Sequence, residues 1–176
     1  MERGALTERE LIARQIGRLP RGNFAVATRC PHGFPQVLRV PPIVDGAPFP
    51  TLYWLSCPFL CRAVGALEAE GWVARLQERL FVDGGLRVAL ERAHEAYIEE
   101  RDSLAKTSGA REGHSGPSLL QSVGGIGGIV DRANLKCLHA HVAQALAGEN
   151  PIGALVLEML RDTACPGDKQ ICSSLA

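Results

Sequence analysis

The spacing of apolar residues changes character near residue 57. Before this point, apolar residues form short β-branched or aromatic runs bounded by glycine and proline, which is typical of strands. After it, apolar residues recur with the period of an α-helix. The predicted strands are 23–29, 36–40 and 51–55, and the predicted helices are 7–17, 58–70, 72–81, 84–105, 132–147 and 151–162. We therefore expect an α+β fold, in which a small three-stranded antiparallel sheet near the N-terminus is covered by about six helices.

Local signals indicate where the segments begin and end. Thr7 followed by Glu10 predicts a capping box at the first helix. Residues 106–118 lack periodicity and predict a mobile surface loop. The glycine-rich segment 124–128 predicts a close-packed turn or, less specifically, an anion-binding loop before a helix that Asp131 would cap. We expect one globular domain over 1–162 and a C-terminal tail over 163–176.

Composition and charge exclude several classes of partner. The chain has 176 residues, 46% of them hydrophobic, with 19 basic and 19 acidic residues. A balanced charge offers no global attraction to nucleic acid or to an anionic membrane. The N-terminal region lacks the apolar core of a signal peptide, and no apolar stretch approaches the roughly 18 residues of a membrane span. We expect a cytoplasmic protein, whose six cysteines are free thiols or metal ligands.

Two cysteines directly follow predicted strands. If the strands form an antiparallel meander, the first and third run in the same direction, so Cys30 and Cys57 would converge at one end of the sheet. Pro58 at the first helical position makes Cys57 the N-cap of the next helix, where the helix dipole would lower the pKa of its thiol. Cys57 could equally be a small buried side chain beside a turn.

The helix predicted over 132–147 carries a cysteine and two histidines. Cys137 and His141 are separated by four residues and would share one flank, whereas His139 would share a ligand with Cys137 only if the helix had not yet begun at residue 137. Thiolate and imidazole ligands suit zinc or an iron–sulfur cluster. A histidine beside an apolar face can also be a hydrogen-bonded core residue.

On the helix predicted over 84–105, His94 and Arg101 fall on the same arc as Leu90 and Tyr97. Inward-facing charged groups need partners. Arg101 would either form a structural salt bridge or orient a small anionic molecule in the same cavity as the thiols, with His94 transferring protons. Of the remaining cysteines, Cys61 fits core packing, whereas Cys165 and Cys172 lie in the tail and could be exposed or fold back as ligands.

Several motifs occur together in order: "RCPHGFPQVLRVPP", "DGAPFPTLYWLSCP", "AHEAYIEERD", "LKCLHAH" and "GENPIG". Over residues 7–160 the chain resembles the bacterial domain-of-unknown-function family 501. The resemblance implies a single cytoplasmic bacterial domain without an established activity. It also implies recurring thiol and imidazole positions at Cys30, Cys57, Cys137 and His139, with a histidine in some relatives where this chain has Gln144.

Three functional hypotheses follow. The first is a metal-dependent enzyme, or a protein with a metal site, that uses Cys30, Cys57, Cys137 and either His139 or His141 as ligands of zinc or an iron–sulfur cluster. With three ligands on zinc, an open fourth position could activate water for reaction with a small anionic substrate. The second is a non-catalytic partner-binding domain with a structural metal or free thiols. The third is a metal-free enzyme with Cys57 as its nucleophile.

Overall fold

The computed structural model of the protein describes residues 6–45, 47–107 and 124–175. The helices of these residues are α1 (Glu8–Ile16), α2 (Pro58–Ala69), α3 (Trp72–Val82), α4 (Gly84–Thr107), α5 (Leu138–Ala147) and α6 (Pro151–Leu160). The strands are β1 (Ala25–Arg29), β2 (Pro35–Arg39), β3 (Ile43–Val44), β4 (Ala47–Pro48) and β5 (Tyr53–Leu55). The predicted α+β class and the three-stranded sheet near the N-terminus are confirmed. So is the capping box of α1, in which Thr7 and Glu10 bond each other's backbone N–H groups.

The main sheet is an antiparallel meander in the order β1-β2-β5. Arg29 pairs with Pro35, and Val37 pairs with Leu55, so β1 and β5 end beside the start of β2. The segment between β2 and β5, which we expected to be a plain connection, contains the short β3–β4 hairpin. Its turn includes Asp45 at φ 52°, a left-handed conformation that aspartate tolerates better than most residues.

Strand β2 separates two hydrophobic clusters because successive side chains point to opposite faces of a sheet. Val37 joins the larger cluster, which the residues of α2 to α6 complete, whereas Leu38 packs with Ile12 of α1 on the other face. Both side chains are fully buried. The helices that carry the candidate functional residues therefore all lie on one side of the sheet.

Helices α5 and α6 pack closely against each other. Asn150 caps α6 by accepting a hydrogen bond from the Gly153 N–H at 2.8 Å. A β-carbon at Gly153 would lie 2.1 Å from the His141 carbonyl oxygen, so the two backbones approach more closely than any other residue would allow. This contact orients α5 against the rest of the helical layer.

Helix α5 begins at Leu138, six residues later than the predicted start at 132. Asp131 does not cap it. Instead, the Asp131 side chain accepts hydrogen bonds from the Ala133 N–H and the Asn134 amide and closes a turn. The Leu135 N–H then bonds the Gln77 side chain of α3 at 2.7 Å. These bonds replace the intrahelical bonds that an earlier helix start would have formed.

The C-terminal segment folds back onto the start of the sheet rather than extending as a loose tail. Gln36 donates to the Thr163 carbonyl oxygen at 2.7 Å, and residues Ile171–Ser174 form a 3₁₀ helix in which Cys172 is buried. Within the described ranges, no helix has both the length and the apolar character needed to cross a membrane. The loop predicted over 106–118 lies outside the described residues except for its first two residues, which continue α4.

Candidate metal site

One face of α2 contacts the first turn of α5. Cys61, Gly65 and Glu68 are spaced by four and three residues, which places them on the same side of a helix. The Cys61 carbonyl oxygen lies 3.0 Å from His139 Nε2, and a β-carbon at Gly65 would lie 4.0 Å from the His139 ring. The His139 ring therefore lies against the Cys61 and Gly65 positions of α2.

Glu68 caps α5 from the neighbouring helix. Its Oε1 accepts a hydrogen bond from the Leu138 N–H at 2.6 Å. The first N–H groups of a helix have no intrahelical partner, and the positive end of the helix dipole favours a carboxylate there. Cys137 occupies the N-cap position itself in an extended conformation, without a capping bond of its own. The start of α5 thus brings Cys137, His139 and Glu68 together.

Three donor atoms of different chemistry converge at this point. His139 Nδ1 lies 3.2 Å from Glu68 Oε2 and 3.8 Å from Cys137 Sγ. The ligand atoms of Glu68, Cys137 and His139 all lie within 4.8 Å of one another. Among the described residues, this is the one group of three or more cysteine, histidine, aspartate or glutamate side chains that converges in this way.

The hydrogen bonds of His139 determine which nitrogen can bind a metal. Nε2 donates to the Cys61 carbonyl oxygen, so Nδ1 faces the thiol and the carboxylate. The pKa of His139 is raised to about 9, chiefly by its hydrogen bond to Cys137 and further by the Cys61 carbonyl and the Glu68 carboxylate, against the effect of burial. Without a metal, Nδ1 can hold a proton between the Cys137 sulfur and the Glu68 carboxylate. A cation can take the place of that proton.

The arrangement differs from a catalytic cysteine–histidine–carboxylate triad. In such a triad the nucleophile and the orienting carboxylate bond opposite nitrogens of the imidazole. Here Cys137 and Glu68 both face Nδ1, and Nε2 is occupied by a backbone carbonyl. One sulfur, one nitrogen and one oxygen around a common point could instead hold a metal ion. Zinc accepts all three ligand types, whereas iron–sulfur clusters are held mainly by cysteine.

His141 lies on the other side of α5, in a buried network. Asn150 Nδ2 donates to His141 Nδ1 at 3.1 Å and to Gln144 Oε1 at 3.0 Å, and Gln144 donates to the Ala93 carbonyl oxygen. Burial lowers the pKa of His141 to about 4, with a further contribution from the nearby His94. The structure thus places His139, and not His141, beside Cys137.

His94 and Arg101 support the glycine-rich segment. His94 is fully buried and its Nδ1 accepts a hydrogen bond from the Ile126 N–H at 3.1 Å, while burial lowers its pKa to about 4. Arg101 donates to the Gly124 carbonyl oxygen at 2.7 Å and forms a salt bridge with Asp102 at 3.0 Å. Arg101 thus pairs with the neighbouring carboxylate of its own helix.

Cys30 and Cys57 lie at the same end of the sheet, as the meander predicted, but outside the Glu68–Cys137–His139 group. Cys57 is the N-cap of α2, yet its pKa is raised rather than lowered, because burial outweighs the effect of the Leu60 and Phe59 N–H groups. A buried thiol with a raised pKa is a poor nucleophile. The expectation of a lowered pKa at Cys57 is therefore wrong.

Cys61 contacts the Glu68–Cys137–His139 group through its backbone carbonyl oxygen, which bonds His139. Its thiol donates to the Leu55 carbonyl oxygen at 3.4 Å, and burial raises its pKa to about 11, with further contributions from Cys57 and Cys137. Glu68 was not identified from the sequence. The predicted helix over 58–70 does place Glu68 on the same face as Cys61, seven residues earlier. No pattern in the sequence, however, indicates that this face contacts residues 137–139.

Residues 26–158 match the family model described as "Protein of unknown function (DUF501)". No curated protein and no solved structure gives a significant match to the chain. The matched residues cover most of the chain and include Glu68, Cys137 and His139, so this protein belongs to the DUF501 family.

Proposed function

We propose that this DUF501 protein binds one zinc ion through Glu68, Cys137 and His139 and keeps the fourth position of the ion open to water. The observation that carries the proposal is the convergence of the three donor atoms within 4.8 Å, with His139 Nδ1 directed at the other two ligands. Thiolate, imidazole and carboxylate are all common zinc ligands. The hydrogen bonds of His139 Nε2 and Glu68 Oε1 would orient the ligands from outside, as is usual for metal sites.

In the part of the chain that the structure describes, three protein ligands converge, and this number supports an open rather than a closed site. Structural zinc sites have four protein ligands, whereas catalytic sites have three and a water molecule. The side chains of His139 and Glu68 are 30% and 27% exposed, so solvent or a small molecule can reach the ion. Zinc lowers the pKa of a bound water to about 7, which would make this protein a metal-dependent catalyst for attack by water.

The test begins with metal-free full-length protein and zinc titration by calorimetry. We expect one zinc ion per chain. Cys137→Ser and His139→Ala should weaken zinc binding by at least about 100-fold, since the loss of even an outer hydrogen-bond partner costs about 10–100-fold. Equal zinc affinity in the wild type and both variants would contradict the site.

Glu68→Gln, in the last turn of α2, and Glu70→Gln, at the C-cap of the same helix, form a matched pair. Glu68 faces His139, whereas Glu70 accepts a hydrogen bond from the Trp72 indole at 3.3 Å. Only Glu68→Gln should weaken zinc binding. If both variants bind zinc equally, the carboxylate is not a ligand.

Cobalt(II) substitution tests the open position. A cobalt–thiolate absorption band should be present in the wild type and absent in Cys137→Ser. Addition of inorganic phosphate as a small anionic probe should shift the visible bands if the fourth position exchanges its water. An unchanged spectrum would indicate a closed shell and favour a structural metal in a partner-binding domain.

A further inference from the structure

Four cysteines lie outside the Glu68–Cys137–His139 group, which is called the zinc group below. They are at one end of the sheet: Cys30, Cys57, Cys165 and Cys172. Cys30 follows β1 and bonds back to the Phe34 carbonyl oxygen at 2.9 Å. Cys57 follows β5, and its N–H bonds the Gln36 carbonyl oxygen at 3.3 Å. Both cysteines therefore flank the first residues of β2.

The C-terminal segment brings the other two cysteines to the same place. His32, two residues after Cys30, bonds the Cys165 carbonyl oxygen through Nε2 at 2.8 Å. Gln15 of α1 donates from Nε2 both to the Pro35 carbonyl oxygen at 2.9 Å and to Cys172 Sγ at 3.2 Å. The C-terminal segment is thus attached at Cys165 to the connection between β1 and β2, and at Cys172 to α1.

Electrostatic coupling among the thiols agrees with this placement. Burial raises the pKa of Cys172, and the neighbouring Cys165 and Cys30 raise it further. Burial also raises the pKa of Cys57, with smaller contributions from Cys172 and Cys165. Cys57 and Cys172 are 4% and 5% exposed, so the group has a protected interior.

Three buried polar atoms, on residues that bond one of these cysteines or lie within two positions of one in the sequence, have no hydrogen-bond partner among the described residues: Gln15 Oε1, Thr28 Oγ1 and Ser56 Oγ. Gln15 bonds Cys172 through its other amide atom, Thr28 precedes Cys30 by two residues, and Ser56 adjoins Cys57. Buried polar atoms almost always have partners, and an unpaired one commonly indicates a missing water or ion. Hydroxyl groups are also suitable donors to metal-bound sulfur.

The ligand type restricts what could occupy this end of the sheet. Four thiolates suit zinc or an iron–sulfur cluster and disfavour hard cations. A single zinc ion, at about 2.3 Å from each sulfur, would draw the sulfurs to about 4 Å from one another. Within the described ranges, no three of these thiols lie that close together. A cluster bonds each cysteine to its own or a shared iron and therefore tolerates a wider spacing.

We propose that Cys30, Cys57, Cys165 and Cys172 bind an iron–sulfur cluster that is separate from the zinc group. Three of these cysteines precede proline, as does the last cysteine of the bacterial ferredoxin motif. Cys165 and Cys172 lie beyond the residues 26–158 that match the family model. The cluster would attach the C-terminal segment to the sheet.

The test uses the full-length chain, purified without oxygen and reconstituted anaerobically with ferric iron, inorganic sulfide and a thiol reductant. Iron and acid-labile sulfide should be retained in comparable amounts, with a visible charge-transfer absorption that bleaches on reduction. The double variant C165S/C172S should lose iron, sulfide and absorption together. Since Cys172 is buried, Cys165→Ala alone serves as a second variant, with circular dichroism to verify the fold; it should lose most of the cluster.

Cys61→Ser and Cys137→Ser are the controls, and both should retain the cluster. Cys137→Ser abolishes zinc binding under the proposed function, so the two proposals can fail independently. Three results would overturn the cluster: no retained iron in the wild type, equal iron in the wild type and folded Cys165→Ala, or zinc bound to the four cysteines in place of iron.

Discussion

His139 and His141 lie two residues apart on one helix, yet their environments are opposite. His139 faces a thiol and a carboxylate near the surface, and its pKa is raised to about 9. His141 is almost completely buried against Asn150, and its pKa is lowered to about 4. The first environment favours a positive charge at the imidazole, and the second excludes it.

The difference arises from what each side of α5 contacts. The His139 side meets α2, which contributes the Cys61 carbonyl oxygen and the Glu68 carboxylate. The His141 side meets α6 and α4, where neutral amides of Asn150 and Gln144 form the polar contacts. The Glu68 carboxylate lies on the His139 side, whereas the groups bonded to His141 are neutral, so the His139 side is the one that favours a positive charge. The opposite side serves stability.

The largest expected change in stability concerns the buried hydrogen-bond network of His141, Gln144 and Asn150. Asn150→Ala removes the cap of α6 and leaves His141 Nδ1 and Gln144 Oε1 without their donor. We expect a loss of about 3 kcal/mol in the free energy of unfolding, from the cap and the unpaired buried atoms together. Urea denaturation measures the loss.

Asn134→Ala is the matched control, because Asn134 is exposed and bonds only Asp131 of its own turn among the described contacts. It should cost less than about 1 kcal/mol. Zinc affinity should remain unchanged in both variants. Equal losses in the two variants would show that the network does not hold α5 against α6.

The second effect is acid sensitivity of the buried histidines. His94 and His141 have a pKa of about 4 in the fold and about 6.5 when exposed, so the unfolded chain binds more protons between these values. The stability that the neutral rings contribute is complete above pH 6.5 and is lost as the pH falls towards 4. Between a pKa of 6.5 and one of about 4, at 1.36 kcal/mol per pH unit, each ring accounts for about 3 kcal/mol.

Urea denaturation at several pH values should show this loss, and His141→Gln should reduce its slope between pH 6.5 and 4. His139→Gln is the control on the same helix and should leave that slope in place. If His141→Gln loses as much stability between pH 6.5 and 4 as the wild type does, then groups other than His141 cause the acid sensitivity.

The third effect has the opposite sign and concerns His139 in metal-free protein. Its pKa is raised from 6.5 to about 9, so its stabilising contribution is complete below pH 6.5 and is lost as the pH rises through 9. Because the group is partly exposed, we expect a contribution of about 1 kcal/mol. His139→Gln should abolish this alkaline loss in denaturation experiments.

Saturating zinc should reverse the trend. Metal binding requires deprotonated ligands, so zinc should stabilise the protein more strongly as the pH rises from 6 to about 9. Zinc-dependent stabilisation that falls over this range would contradict the replacement of the Nδ1 proton by the metal.

The smallest effect is that of Glu68→Gln on the metal-free protein. The amide oxygen of glutamine can still accept the Leu138 N–H bond, so the variant removes only the negative charge. We expect a change of less than about 1 kcal/mol in stability at pH 7, typical of a partly exposed ion pair. NMR titration should show a lower pKa at His139.

Cys137→Ser should lower that pKa further, because the hydrogen bond to Cys137 is the main cause of the raised value. A larger decrease in Glu68→Gln than in Cys137→Ser would reverse this assignment.

Local sequence patterns predicted most of the fold. The meander follows from three short runs separated by glycine and proline, and the six helices follow from their apolar periodicity and caps. The start of α5 was predicted six residues too early, because a bond from Gln77 of α3 competes with the helix there. Local periodicity contains no information about such a partner from another element.

The sequence likewise indicates only some residues of the candidate metal group, which consists of Glu68, Cys137 and His139. Cys137 and His139 are recognisable from the sequence because they are adjacent chemical groups in one short segment. Glu68 is not, since it lies 70 residues before the Leu138 N–H that it bonds. Cys165 and Cys172 likewise give no local indication that the C-terminal segment returns to β2.

The sequence by itself determined the three strands of the main sheet, the six helices, and the cysteines and histidines that could carry chemistry, because hydrophobic periodicity and caps act over a few neighbouring positions. Only the tertiary structure decided which histidine lies beside the thiol and whether its ring is charged. A pKa depends on the groups within a few ångströms, and around α5 these come from α2, α4 and α6. Packing of distant segments therefore separates a candidate metal ligand from a core residue two positions away.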